Sequence, residues 1–254
     1  MEIDARLSTP GDPVCVPDWL ALREPADAAA RSTELVGLLP EPAVVRDLGC
    51  GSGSMGRWLR PLLRTGTWYL HDRDPVLLEI AARDGGIPVV GDLTSATALD
   101  ADLVTCSALL DLLTAPEVDR LVDLCVEAGA AVLFTLSVTG GATLYPAEPL
   151  DARFAAAFDA HQRRSGLLGP DAGEYAAAAL RARGARVQTR ESPWRLTRGP
   201  LLEEWLRGWI SAAVAQDPSL AAEAGPYLRR RLADPDLRAT VPHLDLCAPG
   251  ARAW

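Results

Sequence analysis

The segment Val44-Val45-Arg46-Asp47-Leu48-Gly49-Cys50-Gly51-Ser52-Gly53 constrains the fold of this chain more than any other. An apolar run closed by an acid and followed by alternating glycines reads as a buried strand that turns sharply into a helix. The glycines permit the tight turn and let the backbone approach a ligand closely, and the helix start that follows favours an anionic group. A strand–turn–helix unit of this kind belongs to a sheet whose neighbouring strands run parallel.

The same alternation runs through the first two-thirds of the chain. Strands are expected at Val44–Leu48, Thr67–His71, Ile87–Val90, Asp102–Cys106 and Ala130–Leu136. Between them, Ser54–Leu63, Pro75–Arg83 and Pro116–Ala128 read as helices, each opening on a Ser or Pro suited to a helix start. Before the first strand, Trp19–Leu39 reads as one or two helices placed as a cap over the site. After the fifth, helices are expected at Phe154–Arg164 and Glu174–Arg183, with Gly184 as the stop before a strand-like run at Arg186–Thr189. A helical pair, Leu201–Ala215 and Leu220–Leu232, then separates that strand from a last one around Val241–Leu246. The expectation is an α/β fold with a mostly parallel seven-stranded sheet, helices on both faces, an N-terminal helical cap and a C-terminal helical insertion. At 254 residues this fits one domain, with the cap over residues 1–40, the core over 41–139 and the last strands within 140–254.

Charge and cysteine usage exclude several classes of function. A formal net charge of -9 repels a polyanion, so nucleic acid is not expected as a partner. The one basic run, Arg229-Arg230-Arg231, reads as a solvated helix face. No stretch is long and apolar enough to span a membrane, and the acidic opening Met1-Glu2-Ile3-Asp4 is unlike a signal peptide, so the chain is expected in the cytoplasm. Cys15, Cys50, Cys106, Cys125 and Cys247 form no C-x-x-C pair, which suggests free thiols rather than a disulfide framework or a metal site.

Two glycine registers compete for the turn. Gly51, Gly53 and Gly56 give the G-x-G-x-x-G spacing of a dinucleotide fingerprint. Gly49, Gly51 and Gly53 give D-x-G-x-G-x-G with Asp47 at the strand end, which starts the turn where the apolar run stops. Asp47 also suits a ligand with an ammonium group, whereas it would repel a pyrophosphate.

In this second register the chain resembles the class I S-adenosylmethionine-dependent methyltransferases. The resemblance rests on Val45 through Gly53, then Leu70-His71-Asp72-Arg73-Asp74-Pro75, then Val90-Gly91-Asp92-Leu93, in the family's order and spacing, and it fades after about Thr139. It implies a Rossmann-like fold and S-adenosylmethionine as cofactor, with Asp47, Gly49, Cys50, Gly51 and Gly53 around its methionine end. It further implies Asp72 on the ribose hydroxyls, with Arg73 beside it, and Asp92 and Leu93 at the adenine. The segment Val104 to Asp111 resembles the fourth family motif, which places Ser107 beneath the transferred methyl. It lacks the N-P-P-Y or D-P-P-Y sequence of enzymes that methylate amino groups of nucleic acids or protein amides, which directs the reading to a small-molecule acceptor.

Acceptor contacts are sought beyond the fifth strand. His161 and Tyr145 are the candidate catalytic residues, with Glu148 as an alternative contact. His71 reads as a residue at the cofactor rim, and His243 as a surface residue on an edge strand. Arg23 and Arg31 would bind a carboxylate or else form surface salt bridges. Trp194, Trp205 and Trp209 read first as core, second as the lining for a flat acceptor. Three rival functions stay open: a dinucleotide-dependent oxidoreductase, a non-catalytic module that binds S-adenosylmethionine, and an aminopropyl transferase.

Overall fold

The computed structural model describes residues 16–91 and 98–250. Its centre is a seven-stranded sheet made of β1 (Val44–Leu48), β2 (Thr67–Asp72), β3 (Ile87–Val90), β4 (Leu103–Ser107), β5 (Ala131–Val138), β7 (Gln188–Glu191) and β10 (His243–Ala248), in the order β3-β2-β1-β4-β5-β10-β7. The first five are parallel, as their helical crossovers require. β10 runs antiparallel to both β5 and β7.

The helices are α1 (Pro17–Ala30), α2 (Thr33–Val36), α3 (Ser54–Leu59), α4 (Pro75–Ala82), α5 (Ala115–Glu127), α6 (Asp151–Gln162), α7 (Ala172–Ala182), α8 (Pro200–Gln216) and α9 (Ala221–Ala233). α5 illustrates why they form here. Pro116 supplies a preset backbone angle in its first turn, and Thr114 and Glu117 form a reciprocal capping box. Its buried Val118, Leu121, Val122 and Cys125 recur at helical spacing on the face turned to the sheet.

The pleat divides each strand between two apolar layers. Val104, Cys106, Val132, Phe134 and Leu246 pack with the α5 and α7 side chains, while Val45, Leu103, Ala131, Leu133 and Cys247 pack with α2 and α3. Continuing with period two toward the end of the sheet where β1, β4 and β5 finish and the antiparallel β10 begins, the second face turns polar: Asp47, Thr105, Ser107, Thr135, Asp245 and His243. The loop after β1 opens over this polar end.

A second, three-stranded antiparallel sheet orders β6 (Thr143–Tyr145), β9 (Arg238–Val241) and β8 (Trp194–Thr197) as β6-β9-β8. It shares an apolar cluster with α6, α8 and α9 that includes Phe154, Trp205, Leu206, Trp209 and Tyr227.

Several sequence expectations change. The last strand is two, because Pro242 cannot donate to a ladder and breaks the run into β9 and β10. The strand expected at Arg186–Thr189 lies at Gln188–Glu191 (β7), two residues beyond its expected start and end. His243 is not at an edge: β10 lies between β5 and β7, and the residue is 6% exposed. Arg31 is no surface salt bridge, at 3% exposure, and Arg231 is not part of a solvated face, at 1%. Arg231 instead reaches back under α9, donating to Pro146 O and lying 3.6 Å from Glu148. Trp194, Trp205 and Trp209 are all buried, as their core reading requires. Cys50, Cys106, Cys125 and Cys247 are free and buried. Among the described residues no helix is long and apolar enough to cross a membrane, and no cluster of metal-ligating side chains occurs.

Candidate active site

The loop after β1 is the first wall of the site. Gly49, Gly51 and Gly53 have φ of 60°, 53° and 88°, the left-handed region that side chains resist. Each is also closely approached: an added Cβ would come within 3.0 Å of Leu109 at Gly49, 3.2 Å of Leu20 at Gly51 and 3.1 Å of the Ala81 Cα at Gly53. Gly56 differs, since it lies inside α3 with no left-handed backbone and its nearest neighbours would be 3.7 Å away. Only the 49-51-53 register therefore needs glycine at every position.

The loop is tied to β2 at two points. His71 O accepts from Cys50 N at 2.9 Å, and Asp72 Oδ2 accepts from Gly51 N at 2.8 Å. The other Asp72 oxygen accepts from Asp74 N at 3.0 Å, which aims the carboxylate across the loop mouth. The Asp72 side chain keeps partial exposure, and Arg73 beside it is exposed. The His71 ring meets the Arg46 guanidinium at 3.0 Å, and burial with that cation pushes its pKa down to about 4. Asp92 and Leu93 lie outside the described residues.

Asp47 and Arg31 face the polar end of the sheet together. Asp47 is 1% exposed; its Oδ1 accepts from Thr105 Oγ1 at 2.7 Å, while Oδ2 has no protein partner. Burial raises its pKa to about 7, opposed by the Thr105 hydrogen bond and the charge of Arg31. The Arg31 guanidinium donates to Ser107 Oγ at 2.9 Å and Ser54 Oγ at 3.1 Å, stacks 5.5 Å over Trp58, and leaves Nε without a partner. A buried carboxylate and a buried guanidinium, each with an unpaired atom, are incomplete as an ion pair and complementary to a ligand that carries both charges.

α1 forms the roof. Leu20 lies against Gly51, and Glu24 receives both Arg57 Nε and Nη2 at 2.6 Å, which clamps α1 to α3. Arg23 pairs with Asp27 at 3.0 Å and stacks 4.9 Å over Trp194, whose indole N–H donates to Asp27 at 3.1 Å. The His243 ring lies 5.2 Å from that of Trp194 and its Nδ1 has no partner; burial and the charge of Arg23 hold its pKa down to about 3. α1 is held at its end by Asp245, which accepts from Ser32 N and Leu136 N at 2.8 Å each.

The remaining residues picked from sequence fall outside this cluster. Tyr145 is 59% exposed on β6, under the Arg238 guanidinium, and its strand packs on β9 and α6. Glu148 pairs with Arg230 at 3.0 Å. His161 is half-buried at the end of α6, its pKa lowered by burial and then by Arg164. There Asp159 Oδ2 accepts from Gly141 N at 2.9 Å, at the exit of β5, so α6 ends near the polar rim but not on the loop. Sequence reasoning underrated Arg31 and His243. The signal available for Arg31 was its place at the C-terminal end of α1, before β1; for His243 it was the alternation with Asp245 and Cys247.

No protein-family model and no curated protein sequence matches the chain. Among solved structures it is similar to the pyocyanin biosynthetic protein PhzM, at 15% identity and a TM-score of 0.50 over 94% of this chain and 59% of that one. It also aligns with a putative sarcosine dimethylglycine methyltransferase from Galdieria sulphuraria, at 13% identity and a TM-score of 0.47 over 92% and 85% of the two chains. Human N-acetylserotonin methyltransferase, crystallised with its cofactor, aligns at 14% identity and a TM-score of 0.46 over 69% of this chain. The chain spans about half the length of the human enzyme, 50%. The likeness to PhzM is one of fold.

Proposed function

We propose that this chain is a class I S-adenosylmethionine-dependent methyltransferase that acts on a small molecule in the cytoplasm. The observation that carries the reading is the pair of buried, oppositely charged groups with unpaired atoms, Asp47 Oδ2 and Arg31 Nε, beside three left-handed glycines at the end of β1. The methionine end of the cofactor carries an ammonium and a carboxylate, and these groups match Asp47 and Arg31 in sign. An ammonium at Asp47 would return that carboxyl toward its ordinary range, which couples binding to ionisation of Asp47. Asp72 would hold the ribose hydroxyls with Arg73 at its side, and Asp92 and Leu93 the adenine. Ser107, fixed by Arg31, would line the path of the methyl. When bound, the cofactor supplies an electrophilic methyl group; the chain's part is to orient it and to exclude water under α1.

The sheet supports this reading over the dinucleotide one. The dinucleotide fold orders its strands 3-2-1-4-5-6, all parallel, whereas here the antiparallel β10 is inserted between β5 and β7. The net charge of -9 and the roofed, half-buried site support a small acceptor rather than nucleic acid. His161, at the end of α6, remains an acceptor-side candidate. Tyr145 has its ring engaged by Arg238 and is the weaker of the two.

The test compares S-adenosylhomocysteine with 5'-methylthioadenosine, which lacks the amino acid end, on the wild type, Asp47→Asn and Arg31→Lys. The wild type is expected to prefer S-adenosylhomocysteine strongly, and each variant to narrow the preference. A wild type that binds the two equally overturns the assignment of Asp47 and Arg31.

A further inference from the structure

Asp245 lies on β10, at 0% exposure, and has no part in the cofactor contacts proposed above. Its two oxygens take three donors from three separate segments. Oδ2 accepts from Ser32 N at 2.8 Å, and Oδ1 accepts from Leu136 N at 2.8 Å and from Ser192 Oγ at 2.5 Å. A buried carboxylate engaged in this way is no free base; it ties the three segments together.

The Ser32 contact bears on Arg31. Arg31 and Ser32 form the joint between α1 and α2, and both backbones are extended, with φ and ψ of -56° and 137° at Arg31 and -76° and 110° at Ser32. No helix or ladder fixes these two residues, and the Ser32 side chain makes no capping bond. Arg31 N is tied back to Asp27 O at 3.0 Å, and the next amide, Ser32 N, is tied across the fold to Asp245. The Arg31 backbone is thus pinned between two hydrogen-bonded amides, and its guanidinium runs from there to Ser107 and Ser54. Burial and then the charge of Arg23 work against the positive charge on that guanidinium, while Asp27, Asp47 and Asp245 favour it. At the other oxygen, Leu136 has the left-handed φ of 56° where β5 and β10 shift register, and its N–H meets the Asp245 carboxylate. Leu136 follows Thr135, the ladder partner of Ser107. One side chain therefore holds the backbone next to Arg31 and the backbone next to the strand neighbour of Ser107.

We propose that Asp245 is the positioning residue for Arg31: by holding Ser32 N it aims the guanidinium at the carboxylate of the cofactor's methionine end, and so sets how strongly the chain prefers ligands that carry that end. This role rests on the methyltransferase reading and on its assignment of Arg31.

The probes are S-adenosylhomocysteine and 5'-methylthioadenosine. An amide has one acceptor oxygen where a carboxylate has two, so in Asp245→Asn the oxygen is expected to stay with Leu136 N and Ser192 Oγ while the amide nitrogen opposes Ser32 N. That variant is expected to narrow the wild-type preference for S-adenosylhomocysteine about tenfold, with 5'-methylthioadenosine binding within about twofold of wild type. Ser192→Ala removes a different bond from the same carboxylate and leaves the Ser32 contact, so it is expected to lower thermal stability with the preference unchanged. A wild-type preference in Asp245→Asn, or a Ser192→Ala preference that falls as far, overturns the positioning role. On the wild type alone, S-adenosylhomocysteine is expected to slow hydrogen exchange at the Ser32 amide about threefold more than 5'-methylthioadenosine does at matched saturation. Equal protection overturns the role even if Asp245→Asn does not fold. A wild type with no preference between the two compounds overturns instead the assignment of Arg31 and Asp47 on which the role rests.

Discussion

Gly53→Ala and Gly56→Ala should change stability in opposite directions. Gly53 sits at φ 88° and ψ 19°, and an alanine there costs about 1–2 kcal/mol for the left-handed backbone. Its Cβ would stand 3.1 Å from both Cα and Cβ of Ala81, and the first of these belongs to the α4 backbone and cannot rotate away. The reduced freedom of the unfolded chain returns about 0.4–1 kcal/mol, while the close contact adds to the loss, so a net destabilisation of roughly 1–2 kcal/mol is expected. Gly56, by contrast, is inside α3 with no neighbour nearer than 3.7 Å, and alanine should stabilise it by about 0.5–1 kcal/mol. At about 2–4 °C per kcal/mol for a chain of this size, Gly53→Ala should lower Tm by roughly 2–8 °C and Gly56→Ala raise it by roughly 1–4 °C. Thermal unfolding followed by circular dichroism reads both. If Gly56→Ala destabilises as much as Gly53→Ala, the 49-51-53 register is wrong and the dinucleotide register regains its footing.

Other outcomes follow from the same geometry. Asp72→Ala removes the carboxylate that accepts from Gly51 N and that is proposed to hold the ribose, and should weaken S-adenosylhomocysteine binding by about 1.5–3 kcal/mol, measured by calorimetry; unchanged affinity removes Asp72 from the site. His243, held to a pKa of about 3, should show ring resonances that do not titrate between pH 5 and 8; titration near 6.5 would place the ring in water. Because its folded pKa is lowered, the unfolded chain takes up the proton first, so its contribution to stability is full above about pH 6.5 and lost as pH falls toward 3. His243→Leu should therefore lose less stability than the wild type over that acid range, as read by urea unfolding.

Much of the core was legible in the chain because local signals and tertiary packing agree there. The strand-and-acid pattern at Val44–Leu48, the glycine turn and the proline-opened helices at Pro75 and Pro116 all fall where periodicity places them. The second sheet was not legible. β6 has three residues and β8 and β9 four each, too short to establish a period, and they pair across long stretches of sequence. Arg31 and Arg231 show why charge runs mislead. Each looks like a surface cation, but each is buried because specific oxygens await it: Ser54 and Ser107 for Arg31, Pro146 O and Glu148 for Arg231.

The central claim, that the loop after β1 is built for S-adenosylmethionine, is tested most directly by calorimetric titration of the purified protein. Parallel titrations use S-adenosylhomocysteine and oxidised and reduced nicotinamide dinucleotides. Binding of S-adenosylhomocysteine at one site per chain, with no heat from either dinucleotide, is the predicted result. Binding of a dinucleotide without S-adenosylhomocysteine would contradict it.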